Sequence, residues 1–177
     1  MNEAIDPIVR SLASSVETDV VGLRKQVLSL VTKTAKEIIG PEQGVRACYF
    51  DLEAGPPKRL VATDYRAGRI GGTRSGSIEG TEDGDAAIAM VESSGHLLCV
   101  DIEKDPPPGW DNRPRDYRTF ISVAVVAKDI AYGMLTVDAP QPDDLHPRDV
   151  DVLTVMAGLL AIAMKVDPPS AGVGHDG

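Results

Sequence analysis

Residues 117–166 read YRTFISVAVVAKDIAYGMLTVDAPQPDDLHPRDVDVLTVMAGLLAIAMKV, and this stretch decides the fold. Residues 119–127 are almost all apolar or β-branched, which is typical of a strand covered on both faces. Lys128 and Asp129 interrupt this run, and a second apolar run follows over residues 130–137. Two such runs separated by two polar residues predict a tight antiparallel hairpin.

A helix is predicted directly after this hairpin. A loop rich in Pro and Asp leads into it, and Pro147 suits the first turn of a helix. Asp149 and Asp151 would then lie at the positive end of the helix dipole. Few residues interrupt the apolar run from 150 to 166, so this helix must be buried on more than one side.

The hairpin and the helix together resemble the end of a GAF domain. In that family a strand of the form S-x-x-x-x-P-[IL] precedes G-x-L-x-[VI]-[DS], and a helix with D-x-x-x-L-x-x-x-A-x-x-x-A follows. Here Thr119 takes the serine position and Ala124 the proline position, and residues 133–138 match the second strand. The helix pattern is matched by Asp149, Leu153, Ala157 and Ala161. The resemblance implies an α+β fold, an antiparallel sheet with the N- and C-terminal helices on one face and ligand-side loops on the other.

The residues before the hairpin predict the remaining elements of such a domain. Residues 15–39 form a predicted helix that ends at Gly40 and Pro41. A second helix is predicted over residues 83–94, with Asp83 or Asp85 as its cap. Strands are predicted over residues 44–54, 58–64 and 96–101.

The chain is most simply one domain, which we predict over residues 15–166. Residues 1–14 are expected to be flexible, and residues 167–177 have the composition of a disordered tail. The N-terminus carries acidic residues and lacks the apolar core of a signal peptide. We therefore expect a cytoplasmic protein.

Composition bears on the partners. A net charge of -9 argues against direct nucleic-acid binding, which depends on neutralising phosphates. The most apolar helix is interrupted and falls short of a membrane span. Cys48 and Cys99 lie in separate apolar runs, which favours two buried free thiols over a disulfide or a metal pair.

Residues 65–84 read YRAGRIGGTRSGSIEGTEDG and have no periodic apolar pattern, so we predict a long loop. The GGTRSGS segment has the glycine spacing of a phosphate-binding loop but lacks its lysine, which favours a flexible lid or a disordered loop. Three arginines in the loop are either solvated or able to gather an anion: Arg66, Arg69 and Arg74.

The terminal helices carry more apolar surface than one sheet can cover. The N-terminal helix has two apolar stripes, one of Val16, Val20, Leu23, Val27 and Leu30, the other of Val21, Leu28, Val31, Ala35 and Ile38. A second stripe needs a second surface, so we predict a homodimer through the terminal helices. The alternative is that the two helices pack on each other within one chain.

Polar residues inside the apolar strands are the candidates for a binding site. Phe120 and Ser122 share one face of their strand because alternate side chains point the same way, and so do Thr136 and Asp138. Asp101, at the end of the third predicted strand, is the fifth candidate. The resemblance implies a pocket between the sheet and the long loops, where Asp138 as a carboxylate would favour a ligand with donor groups. The alternative is that these polar groups bond to local backbone.

Few of the residues that the known activities of the family require are present in this chain. Free methionine sulfoxide reductases carry acidic residues at the positions of Phe120 and Thr136, and only their aspartate at the position of Asp138 is present. They also use cysteines in the region of residues 65–84, where this chain has none. The Cys-His pair of bilin-binding members and the N-K-x-x-F signature of cyclic-nucleotide-binding members are absent as well. His96 is either a haem ligand, as in some gas sensors, or structural.

We therefore predict a stand-alone sensory domain without catalytic or metal-ligating residues, which binds a small molecule and signals through a dimer or a partner protein. The alternative is an interaction module that binds no ligand. An enzyme similar to the free methionine sulfoxide reductases is a third hypothesis, which the missing cysteines oppose. The sequence names neither a cofactor nor the ligand.

Overall fold

The computed structural model describes residues 5–71, 76–110 and 114–165, with side chains from residue 19 onward. The elements are α1 (Ile5–Ile38), β1 (Arg46–Glu53), β2 (Arg59–Gly68), β3 (Ser77–Ile78), α2 (Glu82–Glu92), β4 (His96–Cys99), β5 (Thr119–Ala127), β6 (Ile130–Ala139) and α3 (Pro147–Met164). Within these residues the strands form a six-stranded sheet in the order β3-β2-β1-β6-β5-β4, and all its pairings are antiparallel. The predicted α+β fold is confirmed.

The predicted hairpin is formed by β5 and β6 near the middle of the sheet. Ser122 lies opposite Thr136, and Phe120 lies opposite Asp138. On its other edge β6 pairs with β1, where Cys48 lies opposite Thr136. The register therefore brings the polar residues of the two hairpin strands side by side on one face.

The other face of the sheet carries the main core. Ile121 and Val123 of β5 and Leu135 of β6 pack there with apolar residues of both terminal helices, including Leu28, Val31, Ala35, Leu153, Leu160 and Ala161. Each valine, leucine or isoleucine side chain in this set contributes about 1.5–3 kcal/mol when it is fully buried. Both terminal helices thus lie on one face, as predicted, and α2 packs on the opposite face against a second cluster that includes Cys48, Phe50 and Met134.

Gly133, in the middle of the central hairpin, is the glycine of the G-x-L-x-V-D motif. Its φ of 157° lies at the edge of the region that side chains rarely adopt. A Cβ at this position would overlap the carbonyl oxygen of Phe50 and lie 2.8 Å from the hydroxyl of Tyr49. The motif needs glycine here because β1 passes too close for any side chain.

Gly133→Ala should lower the free energy of unfolding by more than about 1 kcal/mol, because the added methyl group must displace β1. Urea denaturation measures this change. The control is Gly55→Ala, where the nearest atom to an added Cβ is 3.8 Å away and no strained φ is involved. Equal losses in the two variants would contradict this account.

Several predicted boundaries were wrong. The first helix begins at Ile5, so its backbone extends into the segment 1–14 that was expected to be flexible. The predicted 65–84 loop is much shorter, since residues 65–68 belong to β2, residues 77–78 form β3, and α2 begins at Glu82. Pairing with β1 extends β2 as far as Gly68, and such cross-strand pairing is invisible to local propensity. Arg74 and the tail 167–177 lie outside the described residues.

The helix caps also differ from the prediction. The cap of α2 is Thr81, whose hydroxyl accepts a hydrogen bond from the Gly84 amide at 3.2 Å, and not Asp83 or Asp85. In α3 the Asp149 carboxylate accepts the His146 amide at 2.8 Å, in agreement with an acidic first turn. No helix in the described part of the chain is both long enough and apolar enough to span a membrane.

Candidate ligand-binding site

A cavity of about 250 Å³ lies between α2 and the sheet face that turns away from the terminal helices. Three strands provide its floor, with the side chains of Cys48, Phe50, Phe120, Ser122, Met134 and Thr136. Ala86, Ala87 and Met90 of α2 form the roof, and the segment between β4 and β5 adds Pro107, Pro108, Trp110 and Tyr117. His96, an exposed residue at the start of β4, also lines it. Apolar walls with a few polar groups are typical of small-molecule sites.

Four of the five candidate residues line this cavity, namely Phe120, Ser122, Thr136 and Asp138. Asp101, the fifth candidate, is not part of the cavity lining. The strand β4 ends at Cys99, so Asp101 lies in the loop that follows, away from the cavity lining. Its carboxylate accepts a hydrogen bond from Arg118 Nη2 at 2.7 Å and one from the Glu103 amide at 3.1 Å. Asp101 therefore fixes the start of the segment between β4 and β5, and the hydrogen bond from Arg118 lowers the pKa of its carboxyl group.

Three aromatic rings form one wall of the cavity. Trp110 stacks on Phe120 with the ring centroids 5.2 Å apart and an angle of 7° between the planes. Tyr117 meets the edges of both rings, at 6.2 Å from Phe120 and 6.4 Å from Trp110. The guanidinium carbon of Arg115 lies 4.0 Å from the centroid of the Trp110 ring. Sequence reasoning missed Trp110 and Tyr117, because they lie in a proline-rich segment without a periodic pattern.

Four charged side chains, Arg46, Arg69, Asp116 and Asp138, form a network at one end of the cavity. Asp138 accepts hydrogen bonds at both carboxylate oxygens, from Arg46 Nε at 2.9 Å and from Arg69 Nη2 at 2.6 Å. Asp116 accepts from Arg46 Nη2 at 3.3 Å and from Arg69 Nε at 3.0 Å. We call this set the four-charge network. It joins β1 and β6 to the segments that follow β2 and precede β5.

Burial makes the pairing in this network necessary. Arg46 is only 1% exposed, and a buried guanidinium group without carboxylate partners is strongly unfavourable. Burial raises the pKa of Asp138, and the two guanidinium groups oppose that effect. Burial also acts to raise the pKa of Asp116, but the hydrogen bond from Arg69 and the charges of both arginines lower it on balance. The only sequence signal for Arg46 was a cation at the start of an otherwise apolar strand.

The network changes the expected role of Asp138. Sequence reasoning expected its carboxylate to accept donor groups of a ligand, whereas both of its oxygens accept from arginines of the protein. The uncharged polar groups of the floor are less engaged. The Thr136 hydroxyl makes a long hydrogen bond of 3.4 Å to the Cys48 carbonyl. The Ser122 hydroxyl has no hydrogen-bond partner among the described residues, although the residue is only 5% exposed.

Both cysteines are buried free thiols, as predicted. Burial and the nearby Asp138 charge raise the pKa of the Cys48 thiol to about 11. Burial likewise raises the pKa of Cys99, whose thiol donates a hydrogen bond to the Asp105 carbonyl. At neutral pH the thiol that lines the cavity is therefore protonated and a poor nucleophile. Across the described residues no group of three or more His, Cys, Asp or Glu side chains is placed to hold a metal ion.

Fold and cavity together define a class of α+β domain in which one antiparallel sheet separates a helical core from a ligand-sized cavity. The family model of the GAF domain (GAF_2) matches residues 24–165. This match spans most of the chain, and the chain belongs to the GAF domain family. No match was found among curated proteins.

Solved structures with the same fold include an enzyme and a photoreceptor domain. The free methionine-R-sulfoxide reductase from Neisseria meningitidis, in complex with its substrate, has a TM-score of 0.60 at 18% identity, covering 88% of this chain and 87% of that chain. The blue-light absorbing form of the Thermosynechococcus elongatus PixJ GAF domain has a TM-score of 0.60 at 16% identity, with 82% and 86% covered. The reduced fRMsr of Staphylococcus aureus has a TM-score of 0.51 at 17% identity, with 82% and 94% covered. At these identities the similarity shows the fold alone.

Proposed function

We propose that this chain is a GAF sensory domain that binds a small molecule in the cavity beneath α2 and signals through a homodimer or a partner protein. The observation that carries the proposal is the cavity of about 250 Å³, which the protein's own side chains leave open. Its floor offers the hydroxyls of Ser122 and Thr136 on an otherwise apolar surface. A few polar groups on an apolar floor can orient a ligand, while the apolar area provides affinity.

Binding without catalysis is the activity we favour. The Neisseria enzyme is described with its substrate bound, and another GAF structure with bound biliverdin, which supports ligand binding by this fold. This chain has two cysteines, and the one that lines the cavity, Cys48, is a protonated thiol at neutral pH. A reductase that works through thiolates would lack its nucleophile here.

A ligand that binds the folded state must raise the melting temperature, by mass action. At a concentration 100 times its Kd the gain is about 2.7 kcal/mol. We expect a thermal-shift screen of nucleotides, amino acids and small metabolites to give at least one hit. Ser122→Val should weaken that hit, because it removes the unpartnered hydroxyl from the floor.

The control for this variant is Ser93→Ala, which changes an exposed serine at the end of α2, outside the cavity lining. It should leave the thermal shift of the hit unchanged. If no compound raises the melting temperature, ligand sensing is wrong and the domain serves as an interaction module.

A second copy of this chain is the partner we propose for signalling. In α1 the residues Leu28, Val31 and Ala35 are buried against the sheet, while Leu23 and Leu30 of the other stripe are 49% and 65% exposed. The outer side of α3 also exposes apolar side chains, at Val155, Leu159 and Ile162. The helices touch within one chain, where Arg24 donates to the Met164 carbonyl at 2.8 Å, so the exposed residues belong to two adjacent helices. An apolar surface on two adjacent helices suits a helical bundle between identical chains.

A further inference from the structure

The two charged residues on the cavity floor pair with each other within the protein. The two charged floor residues are Arg46 and Asp138, and the Nε of Arg46 donates to Asp138 at 2.9 Å. The second oxygen of Asp138 is taken by Arg69, and the remaining nitrogens of Arg46 face Asp116 at 3.3 and 3.4 Å. The four-charge network therefore holds two positive and two negative groups, with a sum of zero.

The roof contributes one carboxylate to the lining, that of Asp83 at the start of α2, and Asp83 already has an interaction within the protein. An ionised ligand group that leaves water loses several kcal/mol of hydration unless an opposite charge and hydrogen bonds replace it. An anionic ligand would have to separate Arg46 from Asp138 or Asp116, and a cationic ligand would have to displace an arginine. The four-charge network thus disfavours the binding of anions and of cations.

The remaining lining accepts an apolar body. Phe50 and Met134 lie on the floor, and Ala87 and Met90 face them from the roof. Methionine side chains are flexible and polarizable, so they fit flat or irregular apolar groups. The volume of about 250 Å³ lies below the ~300–1,000 Å³ typical of sites for drug-sized ligands. The ligand must therefore be compact.

Two hydroxyls of the lining, those of Ser122 and Thr136, belong to the central hairpin. Ser122 and Thr136 lie directly opposite each other on β5 and β6, which places both side chains next to each other on the cavity face. The Ser122 hydroxyl is unpartnered among the described residues, and Thr136 makes only the 3.4 Å bond. The other hydroxyls of the lining, on Ser77 and Tyr117, lie outside this hairpin, as do the ring nitrogens of His96 and Trp110. One end of a bound molecule can thus exchange hydrogen bonds with the hydroxyl pair while its body contacts the apolar walls.

We propose that the cavity binds a compact, uncharged ligand with an apolar or aromatic body and one hydrogen-bonding end held by Ser122 and Thr136. This inference rests on the proposed function and narrows it. In this proposal the four-charge network disfavours charged ligands, and the hydroxyls of Ser122 and Thr136 form hydrogen bonds with the uncharged ligand.

The preference for an uncharged ligand, which we call the charge rule, can be tested with three small molecules of nearly the same shape. Benzamide is neutral, benzoate is an anion and benzamidine is a cation. Trp110 is the only tryptophan of the chain and lines the cavity, so its fluorescence reports on binding there. Titrations of the full chain at neutral pH give the three values of Kd. We expect benzamide to bind at least about tenfold more tightly than either ion, since the charges of the four-charge network are already paired with one another.

Three variants test whether specific groups of the protein bind the ligand or whether the ligand only fills the cavity. Ser122→Ala should weaken benzamide about three- to tenfold through the lost hydrogen bond, and Ser93→Ala should have no effect. Asp116→Asn leaves one positive charge of the network unbalanced, so it should improve benzoate binding relative to benzamide. Tighter binding of benzoate to Asp116→Asn would not be expected if the network only stabilised the fold.

The outcomes distinguish this inference from the proposed function. If benzoate or benzamidine binds as tightly as benzamide, the charge rule is overturned and ligand binding stands. If none of the three binds, the hits of the thermal-shift screen decide, since an ionic hit overturns the rule and an uncharged hit supports it. If neither the probes nor the screen yields binding, the proposed function itself fails.

Discussion

Asp138→Ala should lower the free energy of unfolding by about 3–5 kcal/mol, the usual cost of leaving a buried charge without its partner. Arg46 is 1% exposed and would lose the carboxylate that accepts its Nε at 2.9 Å. Its other partner, Asp116, is more distant at 3.3 Å, and the Asp116 side chain is 42% exposed. Domains of this size are stable by about 5–15 kcal/mol, so this loss would be visible in any urea or guanidinium titration.

Two further variants identify the cause of that loss. Arg69→Met removes the other cation from the same carboxylate, but the Arg69 side chain is 18% exposed and can be replaced in part by water, so we expect a smaller loss. The double variant Arg46→Met with Asp138→Leu replaces the buried pair by apolar side chains and should recover much of the stability. A loss below about 1 kcal/mol in Asp138→Ala would show that water already screens Arg46.

This result also bears on ligand assays. Because both Asp138 oxygens accept from arginines, weaker ligand binding in Asp138→Ala would report the collapse of the network, not a lost contact with the ligand. Ser122 is the better position for testing direct recognition.

Leu159→Asp should weaken the proposed homodimer about 100-fold or more, because the new carboxylate would be buried in an apolar contact between helices. Leu159 is 58% exposed in the single chain, so the same change should alter the stability of a monomer by no more than about 0.5 kcal/mol. Light scattering at micromolar concentration measures the change from dimer to monomer. Leu23→Asp on α1 should act in the same way.

Ile130→Asp is the matched control, since Ile130 is 57% exposed but lies at the β5–β6 turn, away from both terminal helices. It should leave the mass of the particle unchanged. A wild-type protein that scatters as a monomer at this concentration would exclude the dimer, and signalling would then require a different partner.

The sequence alone predicted the hairpin of β5 and β6 and which way its side chains point. The alternation in a strand is a local property with a period of two residues. It placed Phe120 and Ser122 on one face and Ile121 on the other without any knowledge of the partners, and the structure has the same arrangement. Gly133 was assigned to the second strand by its match to the family motif, and the structure places it in β6 at a position without room for a side chain.

Only the tertiary structure decided which groups these side chains contact. Arg46 and Asp138 are 92 residues apart in the chain, and they pair because β1 lies next to β6 in the sheet. The same long-range order brings Trp110 onto Phe120, and the end of β4 at Cys99 removes Asp101 from the site. Local patterns encode the face that a residue occupies, because this depends on the backbone of its own strand. The partner of a buried charge depends on the order of distant strands, and no local pattern records that order.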